Sequence, residues 1–416
     1  MEAVTFSFCD DLIFVYNKSI IKIMKSGGIT LKKIFSIFLS FIYSFLSLFG
    51  LSFNNGEKIW TEKVNFEIKC KTDVILPPEE VWVNGTDYPS VIELADGKLL
   101  ASAEVFNRGE CGFRIMASDD SGDTWTQRAF VTETLDKTIN ASWNPCLMEL
   151  PEAMGIFPKG TVILAAVSID HQQSRKSQIS VYASTDGGSS WTEISVIDEA
   201  GGIDEGVWEP YLVYEDGYVY CFYSDDADEA CSQTIVYKRS SDCINWEGKV
   251  SVVKSGNPDE RPGMPVLTKM GNGKWFLCYE YGRDGGYPIY YKTSDSIGEW
   301  NPADTGTLLK AGIKRTAVSA PSCIWIPEGG NKGTLIVSAK AVDGKRNDLF
   351  ISNNYGKHFK MMKNPLDYSD KRGFGYHAAF YWSEKNNVLY YANAVDYVDD
   401  LSKISFVRMS PKSRLR

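Results

Sequence analysis

Only three histidines occur in the 416 residues, His171, His358 and His377, and they fall on separate segments of the chain. A zinc centre built on imidazoles and a Ser-His-Asp triad both need histidine beside its partners, so both are disfavoured. The nine cysteines contain no Cys-x-x-Cys pair. Cys146, Cys221, Cys278 and Cys323 sit inside apolar strand-like runs and read as buried free thiols. Cys231 and Cys243 become candidates for a pair if the chain is exported. A basic excess is also missing. The net charge of −9 argues against a nucleic-acid surface, which would need a basic stripe. Neither a metal nor a cofactor is expected, and the chain reads as a monomer.

Aromatics make up 13% of the chain and there are 35 glycines, a balance that suits many short strands joined by tight turns. Near the start, Lys32-Lys33 precede an apolar run from Ile34 to Phe53. A basic flank before an apolar run describes either a signal peptide or a membrane anchor, and no clean small-x-small cleavage site follows it. Residues 1–55 are therefore expected to be a leader, and 56–416 a secreted or extracellular domain, either released or anchored through residues 34–53.

One short segment recurs in that domain. Ser118 to Trp125 reads Ser-x-Asp-x-Gly-x-Thr-Trp, and Ser184 to Trp191 is a full copy. Looser copies end at Trp246, Trp300 and Phe359, so the closing aromatics are spaced by 66, 55, 54 and 59 residues. A near-regular period of that size indicates a repeat architecture. Each repeat has the same order. In the first, Tyr88 to Leu94 and Lys98 to Glu104 flank Asp96-Gly97, a strong hairpin signal. Phe113 to Ala117 leads into the box and Gln127 to Val131 follows it. Six such repeats predict an all-β, six-bladed β-propeller of four-stranded antiparallel blades. The sixth lacks a fourth strand at its C-terminal end, and the early strand Val64 to Ile68 is expected to supply it.

The box itself reads as structural. Its Asp can accept bonds from turn N–H groups, its Gly can adopt φ > 0, and its Trp can pack between sheets. Because strands alternate in direction, the box and the first hairpin share one face. The starts of first strands and the ends of second strands then share the opposite face, near the axis, where loops should carry a site. On that face lie Tyr88, Trp143, Asn144, Trp208, Glu209, Arg261, Arg315, Ser319 and Tyr376 at first-strand starts. Glu104, Asp170, Asp225, Asp226, Glu280, Asp343 and Asp396 lie at second-strand ends and form an acidic mouth.

Glu209 and Glu280 stand out. They belong to adjacent blades, and both are flanked by aromatics that can exclude water and raise a carboxyl pKa. Two carboxyls across a glycosidic bond are the minimal equipment for its hydrolysis. Arg261 and Arg315 serve either to bind substrate or to neutralise the mouth. Trp143 and Trp208 are either sugar platforms or interblade packing, and Tyr281 and Tyr376 are further aromatic faces for sugar.

The boxes resemble the Asp-boxes of sialidases and their relatives, over Tyr88 to about Met409. Sialidases clamp a substrate carboxylate with three arginines, the first at the start of blade one. Here that place reads Tyr88-Pro89-Ser90, so a carboxylate sugar is disfavoured, although Arg261, Arg315 and Arg372 remain as alternatives for a clamp. A narrower resemblance rests on Trp208-Glu209-Pro210-Tyr211-Leu212, Glu260-Arg261-Pro262-Gly263-Met264-Pro265 and Tyr279-Glu280-Tyr281-Gly282. Together these are similar to glycoside hydrolase family 93. The resemblance implies a retaining exo-α-1,5-L-arabinanase that releases arabinobiose from linear arabinan. It implies Glu209 as nucleophile and Glu280 as acid/base, or the reverse, with Tyr376 matching a tyrosine near the axis. Tyr88, Trp143, Asn144, Trp208, Arg261, Tyr281 and Ser319 are the expected substrate-binding residues. The other expectations are an exo-sialidase or a non-catalytic carbohydrate-binding propeller.

Overall fold

Alternating apolar runs separated by Asp96-Gly97, Asp216-Gly217 and Asn272-Gly273 fold as antiparallel hairpins. Asp216 (φ 47°) and Gly217 (φ 81°) both take the left-handed conformation that a two-residue hairpin turn requires. The computed structural model describes residues 66–412 apart from 77–80, 108–111, 133–140, 171–175, 202–204, 228–230, 313–314, 343–347, 367–376 and 397–400, together with strands Ala3–Ser7 and Ile13–Asn17. The chain divides into two units, Met1–Lys63 and Val64–Arg416. In the first, the two short strands pair antiparallel, with Ala3 opposite Asn17. The apolar run 34–53 lies outside the described residues, among which no helix is long and apolar enough to cross a membrane.

The second unit is all-β, a six-bladed β-propeller of four-stranded antiparallel blades. Blade 1 uses Val81–Glu93, Leu99–Asn107, Phe113–Ser118 and Thr126–Val131. Blade 2 uses Ala141–Glu149, Val162–Ile169, Ser177–Ser184 and Thr192–Ala200. Blade 3 uses Val207–Glu215, Tyr218–Asp225, Thr234–Ser240 and Val250–Val253. Blade 4 uses Arg261–Lys269, Trp275–Gly282, Ile289–Ser294 and Thr307–Leu308. Blade 5 uses Ser322–Ile326, Thr334–Ser338, Leu349–Ser352 and Lys360–Met362. Blade 6 takes Ala379–Ser383, Val388–Asp396 and Ser402–Pro411 from the C-terminal end, and its fourth strand, Phe66–Ile75, from the N-terminal side. This strand is ten residues long and runs beyond the expected Val64 to Ile68. The central strands Val162–Ile169 and Trp275–Gly282 are buried along their whole length, because neighbouring blades cover both faces.

The repeated box fastens each blade to the one before it. Within a box, Asp186 accepts bonds from the Ser184 hydroxyl (2.8 Å), the Ser189 and Ser190 N–H groups (3.0 and 2.9 Å) and the Ser190 hydroxyl (2.6 Å). These donors, the Ser190 hydroxyl foremost, hold its carboxyl down to about 2. Gly122 (φ 92°) sits so close to the ring of Phe406 in blade 6 that a Cβ there would lie 2.2 Å from it. The turn carbonyls also accept hydroxyls from the preceding blade: Gly122 from Thr72 (2.8 Å), Cys243 from Ser195 (2.9 Å), Gly298 from Tyr237 (3.0 Å) and Gly356 from Tyr291 (3.1 Å). Asp186→Ala is therefore expected to lower stability by about 1–2 kcal/mol, read by denaturant unfolding; an unchanged midpoint would remove the box from the stabilising contacts.

The ion pairs Lys98–Asp119 (3.8 Å) and Lys274–Asp295 (2.7 Å) join first hairpins to boxes, so these two turns do share a face. All seven described cysteines are free thiols. Cys231 and Cys243 do not pair: Cys231 donates to the Gln233 carbonyl (3.3 Å), and Cys243 is buried within its box turn.

Candidate active site

The chain reaches the axis at the start of each first strand, and it does so in one conformation. Tyr88, Asn144, Glu209, Met264, Ala320 and His377 all have φ between 48° and 60°. The first five precede prolines 89, 145, 210, 265 and 321. The ladder breaks register at the same place, between Asp87 and Ser90, Trp143 and Cys146, Trp208 and Tyr211, and Gly263 and Val266. Each break is a bulge that takes one residue out of the sheet and re-aims it. A left-handed non-glycine residue costs about 1–3 kcal/mol and persists only where its surroundings hold it. The starts meet: Tyr88, Met264 and Ala320, from blades 1, 4 and 5, pack together, and the Tyr88 ring stacks on His377 at 4.1 Å.

Two carboxyls enter this cluster. Glu209 is partly exposed and accepts the Ser224 hydroxyl (2.5 Å) and the Met264 N–H (2.9 Å) on Oε2. Glu280 is 3% exposed and accepts the Ser319 hydroxyl (2.9 Å) and the Ala320 N–H (3.1 Å), also on Oε2. Glu280 lies across the ladder from Gly263, whose neighbour Met264 is bonded to Glu209, so the two sit at one place on the axis. Burial raises both carboxyls above their ordinary range. For Glu280 the charge of Glu209 adds to burial, and the Ala320 N–H, the Ser319 hydroxyl and Arg261 oppose it. For Glu209 the Arg261 guanidinium, the Ser224 hydroxyl and the Met264 N–H oppose burial. Two carboxyls side by side, one raised further by the charge of the other, are an arrangement that acid-assisted displacement at a sugar carbon can use.

A cavity of about 340 Å³ lies between the outer strands of blades 1 and 2 and is lined by Phe130, Tyr182 and Trp191. Glu193 is its single carboxylate, so it lacks the facing pair. Among the described residues no group of three or more His, Cys, Asp or Glu could hold a metal ion.

No family model and no curated protein sequence matches the chain. Solved structures do. An α-L-arabinanase of Penicillium chrysogenum in complex with arabinobiose is 31% identical, with a TM-score of 0.74, over 83% of this chain and 98% of that one. The GH93 α-L-arabinofuranosidase of Fusarium graminearum with arabinobiose is 27% identical, with a TM-score of 0.73, over 82% and 97%. The chain belongs to glycoside hydrolase family 93. A microbial sialidase, Hadza Hz136, is 13% identical over 78% of this chain and 65% of that one, with a TM-score of 0.55, and shares the fold alone.

Within this glycoside hydrolase, the expected site residues separate. Asn144 lies between Glu104 and Glu209, and Ser319 is bonded to Glu280. Arg261 stands 3.9 Å from Asp226. Trp143 and Trp208 form a tilted pair 6.0 Å apart, and the Trp208 N–H donates to Asp226 at 2.7 Å. Tyr88 is 3% exposed and belongs to the axial packing. Tyr281 is fully buried, with its hydroxyl on Glu260, so no face of its ring is open to a sugar. It follows Glu280 and so faces the opposite way, on a strand that neighbouring blades bury on both faces. Tyr376 lies outside the described residues, as does Arg372, and Arg315 is exposed on the short strand Arg315–Val318. Asp225 is no open acid of the mouth, being buried against Lys249 at 2.8 Å.

Ser224 escapes a reading of the sequence. It lies opposite Trp208 in the ladder, and its hydroxyl also accepts the Met264 N–H at 3.0 Å. The signal that was available is the residue-proline pair at five of six strand starts, which marks the chain's return to the axis.

Proposed function

We propose that this glycoside hydrolase is a retaining exo-enzyme acting on linear α-1,5-L-arabinan and releasing arabinobiose, with Glu209 as nucleophile and Glu280 as acid/base. The observation that carries the reading is the meeting of these two carboxyls from adjacent blades, each on the N–H of a left-handed strand start, with the charge of Glu209 adding to the burial that raises Glu280. The arabinobiose seen with both family relatives supports the substrate class.

In the first step the Glu209 carboxylate attacks the anomeric carbon as the glycosidic bond breaks, and Glu280 gives its proton to the leaving oxygen. The product is a glycosyl ester on Glu209. Esterification removes the negative charge that raises Glu280, so the Glu280 pKa falls and its carboxylate becomes a base. It then takes a proton from water, whose oxygen attacks the same carbon and frees Glu209. Two displacements return the original anomeric configuration. The aromatic pair Trp143–Trp208 and Arg261 are the candidates to hold the sugar rings and hydroxyls. Export by the leader, cleaved or retained as an anchor, would deliver such an enzyme to polysaccharide.

The reading is tested by following the products of debranched arabinan over time. Arabinobiose released from the first minutes, with the polymer shortening slowly, fits exo action; a ladder of longer oligosaccharides rejects it. The pH profile is a further prediction. Because kcat/KM needs Glu209 ionised and Glu280 protonated, it is expected to be bell-shaped, with both limbs above the ordinary carboxyl value of about 4.3. Glu209→Gln should lower the titration of Glu280, observed by NMR of a labelled carboxyl, because a negative neighbour has gone. An unmoved Glu280 titration would separate the two groups.

A further inference from the structure

Glu104 lies near the end of the second strand of blade 1, as Glu280 lies near the end of that of blade 4. Each accepts the backbone N–H of the left-handed residue that starts the next blade: Asn144 for Glu104 (2.8 Å) and Ala320 for Glu280 (3.1 Å). Glu104 is 6% exposed and has no part in the two displacements. Its Oε1 also accepts the side-chain amide of Asn144 at 2.9 Å. An amide whose nitrogen is held on a carboxyl must point its oxygen the other way. The Asn144 Oδ1 accordingly faces the backbone N–H of Glu209, at 3.4 Å.

We propose that Glu104 is a positioning residue for Glu209: by holding both N–H groups of Asn144 it orients the Asn144 oxygen onto the Glu209 N–H, and so keeps the start of blade 3 in the left-handed conformation that aims the Glu209 carboxylate. The relay runs over three blades, through residues 40 and 65 positions apart in sequence. It acts on the backbone of Glu209, whereas Ser224 and the Met264 N–H act on its carboxylate. Without Glu104 the two Asn144 donors are buried and unpaired, and the amide is free to turn over. The Glu209 N–H would then meet an NH2 group, and the backbone at φ 60° would lose one of the contacts that over-determine it. Burial, then the nearby charges of Asp87 and Glu209, push the Glu104 carboxyl up to about 8, and both Asn144 donors fall on its single oxygen Oε1. An amide carbonyl can take its place.

The inference rests on the reading of Glu209 as nucleophile, and the experiment separates the two. Glu104→Leu fills the space and removes the acceptor; Glu104→Gln keeps an oxygen there. On linear arabinan, Glu104→Leu is expected to lower kcat about 10- to 100-fold with KM close to wild type, as for a misplaced reacting group. Glu104→Gln is expected to restore kcat to within about 3-fold of wild type. Asn144→Ser should lower kcat as well, and the double variant Glu104→Leu/Asn144→Ser should be no slower than the worse single one, because both break one relay. Wild-type kcat in Glu104→Leu, a Gln variant as slow as the Leu variant, or additive losses in the double variant would each overturn the proposal. If Glu104→Leu does not fold, Asn144→Ser and Glu104→Gln decide it by the same criteria: wild-type kcat in the first, or a slow second, overturns it. Glu209→Gln is measured alongside; if that variant turns over normally, the nucleophile assignment fails first.

Discussion

Glu209→Gln is expected to lower kcat/KM on linear arabinan about 10⁴-fold or more, because no covalent intermediate can form on an amide. Glu280→Gln is expected to lower it about 10²- to 10⁴-fold, the range for loss of a general acid. The two variants should differ in kind as well as degree. A dinitrophenyl arabinobioside needs no proton on its leaving group, so its first step should survive in Glu280→Gln and stall in Glu209→Gln. In Glu280→Gln the second step lacks its base, and azide, which needs none, should accelerate turnover and give a glycosyl azide of retained configuration. Glu209→Gln should show no such product. Burial raises both carboxyls, and Arg261 with two hydrogen bonds opposes it at each; the asymmetry between them is that the charge of Glu209 raises Glu280 further. If Glu209→Gln instead gave the glycosyl azide of retained configuration, the roles would be exchanged. Undiminished turnover in both variants would reject the site.

A chain starting at Val81 is expected to lose about 10 °C or more in unfolding midpoint, or to fail to unfold cooperatively. Removal of Phe66–Ile75 takes the fourth strand from blade 6, where it pairs from Phe66 opposite Pro411 to Ile75 opposite Ile404. Val74 and Ile75 leave the core shared with Phe406, Ile404 and Leu99. The Thr72 hydroxyl leaves the first box, and Asp73 leaves Lys403 and Ser405, both at 2.8 Å. The third strand of blade 6 becomes an open edge, which favours association between chains. Ile75→Ala is the graded version and should cost about 2–4 kcal/mol. Thermal unfolding and size-exclusion chromatography read both variants. A truncated chain that stays monomeric with an unchanged midpoint would mean that the ring closes without this strand.

Much of the scaffold is legible because it is local. Asp216-Gly217 makes its hairpin from two residues, and a box makes its turn from eight. The spacing of the boxes counts blades, and strand alternation places Glu209 and Glu280 opposite them. The same alternation puts Glu280 and Tyr281 on opposite faces of one strand, but the burial of both faces comes from the neighbouring blades. Ser224 and Glu104 were not legible as supports. A serine and a glutamate at strand ends look like many others until the next blade brings a donor or acceptor to them.

The sequence by itself determined the number of blades, their strand order and the placing of Glu209 and Glu280 on adjacent blades. Those features follow from hydrophobic period and turn residues, which act over a few positions. Only the tertiary structure decided which groups meet each carboxyl, that the charge of Glu209 adds to the burial of Glu280, and what holds the backbone of Glu209. These depend on desolvation and on partners 40 to 65 residues away, at Glu104 and Asn144, Glu209 and Met264, and Glu280 and Ala320. Such distances in sequence close only when six blades pack around one axis.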